Sequence, residues 1–261
     1  MNKIDSVDNK KIKELVKLKK ASARKEQGVF LVDGFRETLS ALESGLEIKE
    51  LFFCQSLDKN HNFKQLKINT DLVCEVSEAA FRKISYKENP DGCLALIKTN
   101  SKTLANVKLN KNPLIVILEN IEKPGNLGAI IRTSYAAGVD LIIINDNQTD
   151  IYNPNVIRAS EGFIFKQKIV STSFQETTTW LTNNKIVSYA AATTGKINYI
   201  KANLKKSAAI VLGSEADGLS ANWLKAADKL VKIPMTKGMD SLNVSVSAAI
   251  LIYEAVRQRN G

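Results

Sequence analysis

The chain has 261 residues, 44% of them hydrophobic, which is enough to bury one large core or two modest ones. Its 37 lysine and arginine residues outnumber 27 aspartates and glutamates, and the net charge of +10 suits a polyanionic partner, although a solvated basic surface is the plainer explanation. No apolar run approaches the ~20 residues of a membrane span, and the amino terminus lacks a signal-peptide core. We therefore expect a cytoplasmic protein with no membrane partner.

Cysteine and histidine usage narrows the chemistry. Cys54, Cys74 and Cys93 are widely spaced and flanked by strand-like residues, so we expect buried free thiols in a reducing compartment. A zinc site would need a C-x-x-C pair or a second histidine, and the sequence has neither. His61, the only histidine, lies in a polar turn, and we expect it at the surface. These features predict no metal site and argue against Ser-His-Asp or metal-dependent hydrolysis.

Residues 1–98 predict a compact α/β domain, followed by a polar linker over residues 99–112 and a second domain over 113–261. Predicted strands cover 29–32, 48–54, 71–76 and 92–97, and predicted helices cover 34–44 and 77–84. A lysine-rich helical stretch over 9–27 precedes them. Its basic residues are candidate phosphate contacts, above all Lys10, Lys11, Lys13, Lys17, Lys20 and Arg24. Weaker candidates are Arg82, Lys83 and Lys87.

The second domain opens with a buried strand over 114–118. Turn chemistry over 124–128 follows, and a predicted helix over 129–137 ends at Gly138. The loop therefore lies at the carboxyl end of a strand, which is where α/β sheets bind ligands. Arg132 lies one to two turns into the helix. A solvated arginine on a helix face is the plainer interpretation of that residue.

A second strand, loop and helix cover 208–212, 213–218 and 219–226, with Trp223 and Leu224 predicted to face inward. Gly213 has no Cβ, so a ligand or another backbone segment can approach it closely. Glu215 lies in mid-loop, where a carboxylate near a helix amino terminus is the alternative interpretation. The glycine spacing matches neither a dinucleotide fingerprint nor a P-loop.

A third strand over 230–233 is stopped by Pro234 and leads through a loop over 235–240 to a long helix from 244 to about 259. Ser241 and Asn243 precede this helix, and capping is their structural explanation. The helix is apolar on more than one side, so it is either fully buried or shared with a second subunit.

These three segments, read together as Asn126–Thr133, Leu212–Gly218 and Ile233–Ser245, resemble motifs one, two and three of the SpoU (TrmH-type) RNA ribose 2'-O-methyltransferases of the SPOUT class. The resemblance implies a parallel α/β sheet tied in a deep trefoil knot, a homodimer, and S-adenosyl-L-methionine as the cofactor. It places the main chain at Gly213, Ile233 and Leu242 against the cofactor. The further implied cofactor contacts are Leu212, Gly218, Met235 and Ser241, and the implied reaction centre contains Asn126, Arg132, Glu215, Ser241 and Asn243.

The first domain more loosely resembles the L30e-like substrate-binding domain found in such enzymes, through residues 28–34 and 89–95. We therefore predict methylation of a ribose 2'-hydroxyl in structured RNA, with 23S rRNA as the first expectation and tRNA as the second. Arg158 is a further phosphate contact or the end of a structural helix. A non-catalytic RNA-binding or ribosome-assembly protein stays open as the alternative, and a nucleotide-binding oxidoreductase is disfavoured by the missing glycine fingerprint.

Overall fold

A computed structural model of the protein describes residues 2–59, 62–100, 102–145 and 149–261, with only the backbone at positions 62 and 64. His61 therefore lies outside the described residues. The chain forms two compact units, one of residues 1–100 with 151–166 and the other of residues 101–150 with 167–261. No helix among the described residues is long and apolar enough to cross a membrane.

The first unit contains a mixed sheet of five strands in the order β1-β4-β3-β5-β2. Its strands are β1 (Asn2–Ile4), β2 (Val29–Asp33), β3 (Ile48–Phe53), β4 (Val73–Val76) and β5 (Cys93–Lys98). Its helices are α1 (Lys10–Lys17), α2 (Ala21–Gln27), α3 (Phe35–Glu43), α4 (Glu78–Ile84) and α6 (Pro154–Ala159). Ile12 and Leu15 of α1 are fully buried against Phe52 and Phe81, as the apolar face of the lysine-rich stretch predicted.

The three cysteines are buried free thiols in this unit, as predicted. Burial raises the pKa of the Cys93 thiol to about 12. A thiol with so high a pKa is almost entirely protonated at neutral pH, so Cys93 is a packing residue and not a nucleophile.

Residues 151–166 pack in the first unit, although the predicted boundary assigned them to the second. The ring of Tyr152 stacks on Phe30 with centroids 4.2 Å apart. Ser40 Oγ donates to the carbonyl of Gly162 at 2.8 Å, and Arg36 pairs with Glu161 at 2.8 Å. The chain thus leaves the second unit after residue 150 and returns to it at residue 167, a detour that no local sequence signal indicated. Apart from this detour, the predicted boundaries stay a prediction.

The second unit contains a sheet of seven strands in the order β10-β12-β9-β11-β6-β7-β8, and every pairing in it is parallel. Its strands are β6 (Leu114–Glu119), β7 (Leu141–Asn145), β8 (Ile169–Thr172), β9 (Val187–Ala191), β10 (Ile197–Asn198), β11 (Ala208–Leu212) and β12 (Lys229–Lys232). Its helices are α5 (Pro124–Ala136), α7 (Phe174–Asn183), α8 (Ala221–Ala226) and α9 (Val244–Asn260). β6, β7 and β11 are buried along their whole length and apolar except for Glu119 and Asn145 at the ends of β6 and β7, as expected for strands covered on both faces.

Two local predictions in this unit are wrong. The segment 124–128 is not a turn but the first part of α5, because Pro124 occupies the first turn of the helix, where its missing N–H costs nothing. Leu224 does not face inward: it is exposed on α8, whereas its neighbour Trp223 is fully buried, with its ring edge-on to Phe174 at 5.1 Å. The predicted linker over residues 99–112 also contributes to the hydrophobic core of this unit. Leu104 is part of that core, and Val107 and Leu109 pack against the core.

The carboxyl end of α9 is tied to the start of the sheet by hydrogen bonds to main-chain carbonyls. The guanidinium of Arg259 donates to the carbonyls of Leu204 at 2.8 Å, Lys206 at 2.7 Å, Asn112 at 2.8 Å and Pro113 at 3.3 Å. Gln258 adds bonds to the carbonyl of Ala202 and from the amide of Leu204, both at 2.9 Å. We call these contacts of Arg259 and Gln258 the C-terminal clamp.

Substitution Arg259→Ala is expected to destabilise the second unit by about 2–4 kcal/mol, because several carbonyls lose a charged donor at once. Both tryptophans, Trp180 and Trp223, lie in the second unit, so urea unfolding followed by tryptophan fluorescence reports on it. The matched control is Arg257→Lys on the same helix, which keeps a positive charge beside the buried carboxylate of Glu254 and should cost clearly less stability than Arg259→Ala. Equal losses in the two variants would contradict the clamp.

Candidate active site

A cavity of about 400 Å³ opens at the carboxyl ends of β9, β11 and β12, which are adjacent parallel strands. Its size falls within the ~300–1,000 Å³ that is usual for small-molecule sites. All seven residues predicted to contact the cofactor line it, and so does Glu215 from the predicted reaction centre. The seven are Leu212, Gly213, Gly218, Ile233, Met235, Ser241 and Leu242.

One stretch of the cavity wall lies outside all the segments that the sequence-based prediction identified. It consists of Ala191, the last residue of β9, and Ala192, Thr193 and Thr194 after it. The amide of Ala192 donates to the carbonyl of Val231 at 2.9 Å, so this loop is held against β12 and forms one wall of the cavity. The residues carry neither charge nor unusual spacing, and only the pairing of β9 with β11 and β12 brings them to the site.

The loop after β11 closes on itself. The amide of Ser214 donates to the carbonyl of Gly218 at 3.0 Å, and the amide of Gly218 returns a bond to the carbonyl of Ser214 at 3.2 Å. A Cβ at Gly213 would lie only 2.1 Å from the Gly218 carbonyl oxygen. The glycine is therefore needed for the approach of the chain's own backbone, and this tight loop holds Glu215 at the cavity wall.

Three predicted reaction-centre residues form one hydrogen-bonded chain. The Asn243 side-chain amide donates to Asn126 Oδ1 at 3.2 Å, and the Asn126 side-chain amide donates to Glu215 Oε1. Asn243 is also the N-cap of α9, where its Oδ1 accepts from the amide of Ser245 at 2.9 Å and from the Ser245 hydroxyl at 2.6 Å. We call the side chains of Glu215, Asn126, Asn243 and Ser245 the polar relay. The second oxygen of Glu215 is buried and has no hydrogen-bond partner among the described residues.

Arg132 is exposed on α5, six residues after Asn126, which corresponds to about 9 Å along the helix axis. It is not among the described residues that line the cavity. The structure thus brings Asn126, Glu215 and Asn243 together and places Ser241 on the cavity wall, but leaves Arg132 outside this group.

The basic residues of the first unit divide into paired and exposed ones. Arg24, predicted to bind RNA, is only 3% exposed and donates to the carbonyls of Leu18 at 2.7 Å and Lys19 at 3.0 Å. That prediction is therefore wrong: the side chain ties the turn between α1 and α2 and does not reach a phosphate. Lys11 pairs with Glu50 and Lys13 with Asp8. Those that are exposed and in no ion pair among the described residues are Lys10, Lys17, Lys20 and Arg158.

The weaker candidates are also engaged. Arg82 pairs with Glu78 at 2.8 Å, and the Lys83 ammonium donates to the carbonyl of Val7 at 3.1 Å. Lys87 lies between Glu37 and Asp91; burial opposes its charge, but the nearby carboxylates prevail and raise its pKa. Lys87 is therefore a charged interior residue whose loss would leave buried carboxylates unpaired.

Comparison with known proteins assigns the chain to a family. The SpoU rRNA methylase family model matches residues 113–253, and the model of the MRM3-like substrate binding domain matches residues 9–95. The chain therefore belongs to the SpoU rRNA methylase family, with a substrate-binding domain ahead of the methylase domain, and the predicted family and fold class are confirmed. The likeness of the first domain to L30e stays a prediction.

Individual proteins resemble the chain over nearly its whole length. The chain is 28% identical to the 23S rRNA (guanosine(2553)-2'-O)-methyltransferase RlmP of Bacillus subtilis, over 97% of this chain and 98% of the relative. A crystal structure of an RNA 2'-O ribose methyltransferase matches with 38% identity and a TM-score of 0.87, covering 99% of this chain and 100% of the other. The AdoMet-bound rRNA methyltransferase from Sinorhizobium meliloti matches with 27% identity and a TM-score of 0.91, covering 98% and 97%.

Substitution Gly213→Ala is expected to weaken binding of S-adenosylmethionine at least about tenfold, because the added Cβ forces the loop of residues 213–218 to open. Isothermal titration calorimetry measures the change. The control is Gly45→Ala, because nothing lies within 4 Å of a Cβ at Gly45; its φ of +72° adds a backbone strain that Gly213, outside the positive-φ glycines, does not have. That variant should lose a little stability and keep the affinity of the unsubstituted protein. Unchanged affinity in Gly213→Ala would refute the role of the closed loop.

Proposed function

We propose that the protein transfers a methyl group from S-adenosyl-L-methionine to a ribose 2'-hydroxyl of structured RNA. The observation that carries the proposal is the cavity at the ends of β9, β11 and β12, because every residue predicted to contact the cofactor lines it and the polar relay borders it. The relative from Bacillus subtilis acts, by its name, on 23S rRNA, and this supports 23S rRNA as the first substrate to test and tRNA as the second.

The cavity fits the chemistry of this cofactor. S-adenosylmethionine has a flat aromatic adenine with polar edges, ribose hydroxyls, and a sulfonium that carries an amino-acid end, and the wall offers matching groups. Leu212, Ile233 and Leu242 provide apolar surface, and the main-chain groups of loops after parallel strands provide donors and acceptors. The second oxygen of Glu215, buried and unpaired among the described residues, provides an acceptor for a donor group of the occupant.

The cofactor, when bound, supplies an electrophilic methyl group, so the remaining task is to position a weak nucleophile and remove its proton. Positioning alone is worth roughly 7–11 kcal/mol in the best cases. We assign Arg132 to the target hydroxyl and its neighbouring phosphate, where its permanent charge favours the alkoxide form of the hydroxyl. An arginine does not accept the proton itself, because it is always protonated, so the proton leaves to a phosphate oxygen of the RNA or to water. Glu215 and Asn243 are assigned to position the cofactor and Arg132.

The test is incubation of the purified protein and labelled S-adenosylmethionine with RNA from cells that lack the gene, followed by mapping of alkali-resistant ribose methylation. One new methylated position supports the proposal. Transfer only to ribosomal particles identifies an assembly intermediate as the substrate. Absence of both cofactor binding and transfer would favour the alternative of a non-catalytic RNA-binding protein.

Substitution Arg132→Ala should reduce methyl transfer by at least about 10³-fold, because the hydroxyl loses its electrostatic partner. The dissociation constant of the cofactor should stay within about threefold of the unsubstituted value, since Arg132 lies outside the cavity wall. Single-turnover kinetics and calorimetry measure the two quantities separately. Arg132→Lys keeps the charge but not the planar fork, and an intermediate rate is expected. A large loss of cofactor affinity in Arg132→Ala would contradict this assignment.

We propose that the protein acts as a homodimer in which α5 and α9 form the contact. These helices pack on each other and expose Tyr135 (40%), Val246 (46%) and Tyr253 (50%), and an apolar surface of this kind marks an interface. We also propose that the second unit contains the deep trefoil knot that the resemblance implies. Its support is the all-parallel sheet of the second unit, which is the sheet that the resemblance implies together with the knot.

The double substitution Val246→Glu/Tyr253→Glu is expected to yield monomers, because it places charges in the apolar contact. Sedimentation equilibrium gives the mass. The control is Val187→Glu, which changes another exposed apolar residue (37%) at the start of β9 and should leave the mass unchanged. A monomeric unsubstituted protein, or a dimer that survives the double substitution, would disprove this interface.

A further inference from the structure

The orientation of the polar relay can be derived from a single main-chain donor. The amide N–H of Ser245 can only donate, so the Asn243 atom 2.9 Å from it must be the oxygen. The side-chain nitrogen of Asn243 therefore faces Asn126, whose nearest atom must be its oxygen. The nitrogen of Asn126 then faces Glu215, which must accept. Each step leaves one choice, so the cap of α9 determines that the side-chain nitrogen of Asn126, and not its oxygen, faces Glu215.

We infer that Asn243, held by Ser245, is a positioning residue: it turns the side-chain amide of Asn126 toward one oxygen of Glu215, so that the second oxygen is held in place to accept from a hydrogen-bond donor of the bound ligand. This inference rests on the proposed function and deepens it. The second oxygen of Glu215 is buried and unpaired among the described residues, and Glu215 lines the cavity. An unpaired buried acceptor is costly, so its retention is explained if the occupant supplies the missing donor.

Two kinds of ligand group have the required chemistry: the donors of the cofactor, which are its ammonium, ribose hydroxyls and adenine amino group, and the 2'-hydroxyl of the target ribose. Both are donors, and they differ in when they arrive. A donor on the cofactor changes cofactor affinity, whereas a donor on the RNA changes only the rate constants of methyl transfer. The experiment below separates the two cases.

The test uses two substitutions that each reverse one end of the relay. Asn243→Asp keeps the cap, because aspartate and asparagine cap equally well, but it replaces a donor by an acceptor. Asn126 must then turn its nitrogen toward the introduced carboxylate and its oxygen toward Glu215, which brings two acceptors together. Glu215→Gln keeps the relay but turns the group presented to the cavity into a donor.

In the double variant Asn243→Asp/Glu215→Gln the reversed relay is complete again. Asn126 presents its oxygen to the nitrogen of the introduced glutamine amide, and the oxygen of that amide returns to the cavity as an acceptor. Each single variant should weaken ligand binding or methyl transfer by roughly 10–100-fold, and the double variant should recover at least about tenfold over both. In the ligand-free protein Asn243→Asp should lower Tm, and adding Glu215→Gln should restore it.

The measurements are cofactor affinity by calorimetry, Tm of the ligand-free protein and single-turnover methylation. Recovery in cofactor affinity places the donor on the cofactor, and recovery in the methylation rate alone places it on the ribose; both support the relay. Additive losses in all three measurements overturn it. Asn153→Asp, at the N-cap of α6, is the matched control and should leave all three unchanged. An unsubstituted protein that neither binds the cofactor nor methylates RNA would refute the proposed function itself.

Discussion

The active centre depends on the parallel direction of the strands in the second unit. Because β9, β11 and β12 are parallel neighbours, the loops that follow them meet at one edge of the sheet, although more than 40 residues separate the ends of β9 and β12. Each loop then needs its own means of holding its position. The loop after β11 closes through the bonds between Ser214 and Gly218, and the loop after β9 is held by the amide of Ala192 on β12.

The polar relay adds a contribution from outside these three strands. Asn126 lies in the first turn of α5, and Asn243 precedes the first turn of α9, so the amino ends of two packed helices meet beside Glu215. Helix amino termini offer unpaired N–H groups and a positive end of the dipole, and both favour an anionic acceptor nearby. The amide donors of Asn126 and Asn243 therefore line up toward Glu215 at the starts of two helices.

The sequence predicted those parts of the structure that local pattern determines. The strands β6 and β11 are apolar runs of β-branched residues, and the start of α9 follows an N-cap, so their positions could be predicted closely. Other features depend on tertiary contacts. Arg24 lies in a run of lysines that looks solvated, and only the packing of α2 beside α1 buries it. The wall formed by Ala191–Thr194 and the detour of residues 151–166 likewise carry no local signal. The roles of the predicted site residues still rest on the resemblance and on the experiments above.

Helix α9 connects the C-terminal clamp, which stabilises the second unit, with the polar relay of the active centre. Its carboxyl end is tied by the C-terminal clamp to the segments before β6 and β11, and its amino end holds Asn243 against Asn126 of the polar relay. A helix of 17 residues is about 25 Å long and resists bending, so a shift at the clamp moves the cap as well. Asn243 can set the orientation of Glu215 only while the position of that cap is maintained. The clamp is therefore needed for the geometry of the active centre as well as for the stability of the fold.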